Sequence, residues 1–153
     1  MTNLKIFCIT DKKLDFLVDS KYSIGWVGKE TPPEQYISCN IDKNIFSKEK
    51  HYSELTFHYW YWKNKLDVND KNWIGFCQKR RYWIKKNSIG KSINETNISQ
   101  HILTKAPEEW IGYDAIICEP IYVNKVKKMK MLKRGFRSLL RQPEIFFNEN
   151  RQT

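Results

Sequence analysis

The chain has 153 residues and a formal net charge of +10, from 27 lysine and arginine residues against 17 acidic ones. No stretch approaches about 18 consecutive apolar residues, and the N-terminus lacks the apolar segment of a signal peptide, so the sequence predicts a cytoplasmic protein. Hydrophobic residues make up 41% of the chain and aromatic residues 14%. This composition excludes intrinsic disorder, and the length predicts one domain over residues 1–153.

The positive charge favours an anionic partner, such as a nucleotide, an acidic glycan or a phospholipid surface. Most lysines are scattered, and the abundance of Lys, Asn and Ile together is typical of an AT-rich genome, which argues against nucleic acid. The exception is Lys125–Arg141, which carries eight basic residues and no acid. Within it, Leu132–Arg141 is predicted to form an amphipathic surface helix. Either this is an ordinary solvated face, or it docks on the inner membrane or an acidic glycan.

The first third of the chain contains three short candidate strands. Leu4–Thr10 is an apolar run bounded by polar residues, which predicts a buried first strand. Tyr22–Val27 is a weaker strand candidate, and Gln35–Cys39 is a third. Gly28 and the Pro32-Pro33 pair separate the last two with a turn.

An aromatic-rich helix is predicted over Ser53–Leu66, with Ser53 as its N-cap. Apolar side chains lie on more than one face, which predicts burial on several sides. One face consists of Leu55, Tyr59, Trp62 and Leu66, and the others carry Phe57, Trp60 and Tyr61. Because so apolar a helix needs most of its rings inside, Tyr59 and Trp62 are interpreted as core residues rather than as a platform for a sugar.

Two strong strands are predicted further along, Trp73–Cys77 and Tyr113–Val123, with a modestly helical segment Ser92–Leu103 between them. Strands that alternate with helices favour an α/β fold with a mostly parallel sheet flanked by helices. The strands Leu4–Thr10, Trp73–Cys77 and Tyr113–Val123 are expected to share that sheet.

The cysteines and histidines show no metal-binding pattern. No Cys-x-x-Cys occurs, and Cys8, Cys77 and Cys118 lie in apolar runs, which predicts buried reduced thiols. The three histidines lack the spacing of metal ligands. No Asp-x-Asp is present either, so no residue is assigned to a metal.

Arg80 and Arg81 stand side by side immediately after the predicted strand Trp73–Cys77, in a chain with 21 lysines and only six arginines. The planar guanidinium suits phosphate and carboxylate groups better than an ammonium does. Open α/β sheets bind ligands beyond the carboxyl ends of their strands, where this pair is expected. Because adjacent side chains point in opposite directions, one of the two is expected to face the ligand and the other to hold a neighbouring loop.

The sequence SELTFHYWYWKN followed by WIGFCQKRRYW resembles the paired motif of a bacterial glycosyltransferase-type family known as domain of unknown function 4422. The family pattern is roughly [CS]-E-L-T-x-x-Y-W-x-W-K-N and, after a short gap, Y-I-G-L-x-H-Y-R-R-Y-F. Gln78 and Lys79 replace its His-Tyr pair. The opening KIFCIT is similar to the first strand of the family. Family members extend beyond the equivalent of Thr153, so the resemblance implies the N-terminal part of such an enzyme.

The resemblance implies a GT-A-like (Rossmann-like) domain that transfers a sugar from a nucleotide-sugar donor, most simply a UDP-sugar, to a capsular or surface polysaccharide. Glu54, Arg80 and Arg81 would be catalytic, and Thr10, Asp11 and Tyr82 would join the arginines in binding the donor. The helix macrodipole explains Glu54 equally well, and turn composition explains Thr10 and Asp11. A requirement for Mn or Mg is left open. Expected partners are the glycan acceptor, the inner-membrane surface and other capsule-synthesis proteins. The alternative is a non-catalytic fragment, or a basic module that binds nucleic acid or glycan.

Overall fold

The computed structural model of the protein describes residues 3–17, 20–119, 135–136 and 140–141. The chain forms two compact units, residues 1–111 and residues 112–153. The first unit contains a four-stranded, all-parallel sheet whose strands are β1 (Leu4–Thr10), β2 (Ser23–Trp26), β3 (Ile37–Ser38) and β4 (Trp73–Gln78). The α/β fold predicted from the sequence is confirmed, and its parallel sheet is consistent with a Rossmann-like arrangement.

The strand order is β3-β2-β1-β4, so β1 lies between two parallel neighbours. Cys8 of β1 pairs with Ile24 of β2 on one side and with Cys77 of β4 on the other. Strands buried on both faces read as continuous apolar runs, because both sets of alternating side chains face protein. This explains why the short apolar runs at Leu4–Thr10 and Trp73–Cys77 identified β1 and β4.

Hydrophobic clusters cover both faces of the sheet. Ile6 and Cys8 belong to the first, which includes Leu17, Tyr22 and Ile102; Phe7 and Ile9 point the other way into the second. Segments at Asp15–Leu17 and α3 (Ile98–His101) supply residues to the first cluster. The sheet is thus sandwiched between loop-rich packing on one face and a helix on the other.

That helix is α2 (Leu55–Asn64), which follows the short helix α1 (Glu49–Tyr52). Its buried aromatic side chains, Phe57, Trp60 and Tyr61, are spaced to lie on one face; Phe57 and Tyr61 pack on Phe7, and Trp60 packs on Phe57. The expectation of burial on several sides was wrong, because Trp62 is 56% exposed and Leu55 is 58% exposed. Two apolar faces compete in this sequence, and the helical period cannot tell which one meets the sheet.

The prediction that Ser53 is the N-cap of α2 was wrong. Glu54 occupies the N-cap position and its side chain makes no capping hydrogen bond. Ser53 instead joins α1 to α2 with φ of 48° and ψ of −125°. Its carbonyl oxygen accepts hydrogen bonds from the backbone N–H of Thr56 at 3.1 Å and from the Thr56 hydroxyl at 2.7 Å. A threonine side chain therefore helps to hold the first turn.

The predicted strand Tyr113–Val123 is not found in residues 113–119, where the backbone has no strand conformation and Tyr113 and Ile117 are exposed. An apolar run forms a strand only where a neighbouring edge accepts its hydrogen bonds, and no described residue pairs with this segment. Its remaining residues lie outside the described part of the chain. Cys118 is exposed, which contradicts its assignment as buried, whereas Cys8 and Cys77 are buried as predicted.

The remaining predicted helices differ from the helices in the structure mainly in length. The helical character predicted for Ser92–Leu103 is limited to α3. Of the predicted helix Leu132–Arg141, the described residues Gly135, Phe136, Leu140 and Arg141 are helical, and the others lie outside the described residues, as does most of the basic segment Lys125–Arg141. No helix among the described residues is long and apolar enough to cross a membrane.

Candidate functional site

The candidate site lies at the carboxyl edge of the sheet, where the direction of the strand order reverses. From β1 the chain moves outward to β2 and β3, and it then returns to β4 on the opposite side of β1. In open α/β sheets such a reversal separates the loops and leaves a crevice for a ligand. The sequence places Thr10 and Asp11 at the end of β1 and Lys79, Arg80 and Arg81 directly after β4.

A small cavity of about 70 Å³ lies at the ends of β1 and β4. We call it the inner cavity; Thr10, Asp11, Glu49, Ser53, Glu54 and Lys79 contribute to its wall. Nζ of Lys79 donates a hydrogen bond to Oδ1 of Asp11 and forms an ion pair with it. This interaction holds the pKa of Asp11 below its ordinary value, which keeps the carboxylate ionised.

Thr10 and Glu54 play different parts in this wall. The Thr10 hydroxyl donates to the carbonyl oxygen of Lys12 at 2.7 Å and accepts from the Lys12 backbone N–H at 2.9 Å. With 1% exposure, Thr10 therefore orients the loop that carries Asp11. Glu54 is half-buried at the start of α2, and because its carboxylate makes no capping bond, the carboxylate is left for other contacts.

The backbone at Ser53 is strained where it borders the inner cavity. A positive φ is unfavourable for a residue with a Cβ and costs on the order of 1–3 kcal/mol. Ser53 has φ of 48° and connects the helix carrying Glu49 to the helix that begins after Glu54. The sharp turn thus brings two carboxylates from separate helices to the same cavity.

A larger groove of about 670 Å³ opens beside the ends of β1 and β2. We call it the β1–β2 groove. Its charged residues are Asp11, Lys12, Lys13, Lys29, Glu30 and Glu49, and its apolar wall includes Trp26, Val27 and Pro33. Asp11, Val27 and Glu49 also line the inner cavity, so the two spaces adjoin. The volume is within the range of about 300–1,000 Å³ that is usual for small-molecule sites.

Trp26 fixes the shape of the β1–β2 groove. Its indole N–H donates to the carbonyl oxygen of Glu30 at 2.9 Å, and its ring lies edge-on to Tyr36 with 5.9 Å between centroids. A Cβ placed on Gly28 would lie 2.4 Å from Cζ2 of Trp26. Glycine at position 28 is therefore required for the backbone to pass so close to the indole.

The two arginines of the dyad follow the end of β4, and only Arg80 lines a depression in the surface. Both are exposed, and within the described part of the chain neither forms an ion pair. Arg80 lines a depression of about 310 Å³, here called the Arg80 depression, whose other residues include Phe16, Lys79, Tyr82 and Glu95. Arg81 does not line it and instead closes the turn after β4, with its backbone N–H donating to the Gln78 carbonyl oxygen at 3.0 Å.

Tyr82 presents its ring rather than its hydroxyl. The hydroxyl donates to the carbonyl oxygen of Lys79 at 2.7 Å. Burial raises the pKa of Tyr82, so the hydroxyl stays protonated and keeps that bond. The ring lies edge-on to Phe16, 6.4 Å between centroids. Tyr82 thus anchors Lys79 and supplies an aromatic wall to the Arg80 depression.

Sequence reasoning missed Lys79 and Glu49. Lys79 is the residue shared by the inner cavity and the Arg80 depression, yet in a chain with 21 lysines nothing marks it except its place beside the dyad. Glu49 belongs to a polar connection by sequence, and only the turn at Ser53 brings it to the site. No group of three or more His, Cys, Asp or Glu residues suited to a metal ion occurs among the described residues.

Residues 5–152 match the model of the family described as domain of unknown function DUF4422. The chain belongs to this family. The match spans nearly the whole sequence, including both halves of the motif that carries Glu54, Arg80 and Arg81. No curated protein and no solved structure matches the chain significantly.

Proposed function

We propose that this DUF4422 protein is a GT-A-like glycosyltransferase that transfers a sugar from a UDP-sugar to a capsular or other surface glycan. The observation that supports this best is the β1–β2 groove, which lies next to the inner cavity at the reversal of the strand order. The resemblance of its motifs to those of bacterial glycosyltransferases supplies the reaction class.

The groove has the three kinds of group that a nucleotide requires. Asp11 is ionised and about half-exposed, so its carboxylate is able to accept hydrogen bonds from ribose hydroxyls. Lys12 and Lys29 offer ammonium groups to a diphosphate, whereas the ammonium of Lys13 is paired with Asp15 at 2.8 Å. Trp26, Val27 and Pro33 provide apolar surface against which a base would pack.

The inner cavity is the place we assign to the reaction. As the bond from the sugar to the nucleotide breaks, negative charge develops on the departing diphosphate, and fixed cations lower the energy of that state. Lys79 lines this cavity and the Arg80 depression, and a diphosphate oxygen in the cavity would share its ammonium group with Asp11. Glu54 is the carboxylate we assign to accept the proton of the acceptor hydroxyl, since its side chain is not used as a helix cap.

A thermal-shift titration with UDP, UDP-sugars, uridine and a mixed-sequence oligonucleotide, with and without manganese, tests the proposal. A ligand that binds only the folded state stabilises it by about 2.7 kcal/mol at a hundred times its Kd. We expect UDP and at least one UDP-sugar to raise Tm, and uridine to raise it much less because it cannot engage the lysines.

The matched variants are Lys12→Ala, in the groove, and Lys71→Ala, an exposed lysine that does not line it. The first is expected to weaken UDP binding by about fivefold, the second to leave it unchanged. Stabilisation by the oligonucleotide alone, lost steeply as salt is raised, would instead identify the basic nucleic-acid module. No response to any nucleotide at millimolar concentration contradicts a donor site.

A further inference from the structure

The Arg80 depression has the composition of a sugar subsite with a cationic end. Phe16 and Tyr82 form an aromatic wall, and Ile84, Ile93 and the buried Ile98 extend the apolar surface. Sugar rings pack their C–H faces on such surfaces while their hydroxyls remain at the edge. A volume of about 310 Å³ is at the low end for ligand sites, which suits a unit of one or two rings.

Polar groups stand at the rim of the same depression. Oδ1 of Asn94 accepts three hydrogen bonds. They come from the backbone N–H groups of Thr96 and Asn97 and from the Thr96 hydroxyl. Its Nδ2 group therefore remains as a donor. The Glu95 carboxylate makes no ion pair in the described residues and is able to accept from hydroxyl groups.

The cations of this depression are not equivalent. Lys79 is engaged with Asp11 at the border of the inner cavity. Arg80 has no ionic partner among the described residues, and it is the group left to pair with an anion. A guanidinium next to an apolar ring surface favours a carboxylate, which it binds with two parallel hydrogen bonds.

We infer that the Arg80 depression binds an acidic sugar unit of the acceptor glycan, with its carboxylate on Arg80 and its ring on Phe16 and Tyr82. The inference rests on the proposed glycosyltransferase function, because it treats this depression as the acceptor side of the same site. Lys79, shared with the inner cavity, connects it to the place assigned to the reaction. Specificity for an acidic glycan would thus reside in one arginine of the dyad.

Saturation-transfer NMR and titration with methyl β-D-glucuronide and methyl β-D-glucoside test the inference on the full chain. The two probes differ only in the carboxylate. We expect the glucuronide to bind about tenfold more tightly than the glucoside, and Arg80→Ala to abolish that difference. Arg80→Lys should restore only part of it, because an ammonium cannot make the bidentate contact.

Arg81→Ala is the matched control, since Arg81 is adjacent, exposed and outside the depression. It should keep the preference for the glucuronide. Equal binding of the two probes by the unaltered protein, or equal loss of preference in both alanine variants, overturns the inference.

UDP titrated into the same samples distinguishes the two proposals. UDP binding without a preference for the glucuronide rejects the acidic subsite and leaves the donor site standing. An Arg80-dependent preference without UDP binding rejects the proposed transferase and retains a site for acidic sugars.

Discussion

A methyl group added at Gly28 provides a direct test of whether the β1–β2 groove binds the donor. In Gly28→Ala the new Cβ would lie 2.4 Å from Cζ2 and 2.7 Å from Cε2 of Trp26, so the indole has to move. Trp26 is 5% exposed and is held by its hydrogen bond to Glu30 and its contact with Tyr36. The indole therefore cannot retreat without loss of these contacts.

The cost follows from three contributions. Overpacking costs about 1–3 kcal/mol, and loss of the Trp26–Glu30 hydrogen bond costs about 1 kcal/mol. Replacement of glycine by alanine stabilises the folded state by about 0.4–1 kcal/mol, because it reduces the conformational entropy of the unfolded chain. The free energy of unfolding should thus fall by about 1–3.6 kcal/mol, which lowers Tm by about 3 °C for each kcal/mol.

Gly25→Ala is the control, because it creates a similar clash away from the groove. Its Cβ would lie 2.5 Å from Cε2 of Phe57, which is fully buried between the sheet and α2. Both variants should lose comparable stability in thermal unfolding. Only Gly28→Ala should lose UDP affinity, by about tenfold in calorimetric titration below the unfolding temperature.

Two results would refute this reasoning. If Gly28→Ala unfolds and binds UDP as the unaltered protein does, the close approach to Trp26 does not constrain the groove. If Gly25→Ala loses as much UDP affinity as Gly28→Ala, the effect comes from general destabilisation, and the groove has no special connection with the nucleotide.

Three further predictions concern stability and reactivity. Asp11→Asn should lower the free energy of unfolding at pH 7 by about 0.5 kcal/mol, because its ion pair with Lys79 is half-exposed. The ion pair with Lys79 lowers the pKa of Asp11 in the folded protein, so the difference should shrink as the pH falls through that folded value; a difference that does not shrink as the pH is lowered contradicts the ion pair as its cause. Trp60→Ala should cost about 3–5 kcal/mol in denaturant unfolding and Trp62→Ala less than about 1 kcal/mol, since only the first is buried; similar losses would mean that the exposed face is covered. A thiol reagent should label Cys118 in the native protein and the three buried cysteines only after unfolding; rapid native labelling of more than one thiol rejects this burial pattern.

The strands that could be predicted are those whose evidence is local. Leu4–Thr10 is a short apolar run with polar residues at both ends, and such a run is best buried as a strand. The run at Tyr113 is also rich in apolar residues, yet residues 113–119 form no strand, because pairing depends on an available edge that the run itself does not encode. In the same way, the period of α2 marked two apolar faces, and only the sheet selected Trp60 over Trp62.

The residues of the candidate site also differ in whether local sequence is sufficient to predict them. Asp11 and Arg80 were identified because each follows directly after a strand, and the ends of parallel strands meet at one edge. Glu49 was not, because the unusual backbone at Ser53 brings it there. The alternation of a strand does not extend to Arg80 and Arg81, because both follow the end of β4, and which of them faces a ligand depends on the turn there.

The central position of β1 has a consequence for the synthesis of the chain. Its first neighbour, β2, follows after residues 11–22, but β4 is made only after α1 and α2 have emerged. Until then the apolar strand Ile6–Ile9 has an open hydrogen-bonding edge, of the kind that recruits strands from other chains. Closing so long a loop is also slow. The nascent chain is therefore most prone to aggregate on the ribosome in the interval before Gln78 emerges, and a chaperone that shields this edge would raise the yield of folded protein.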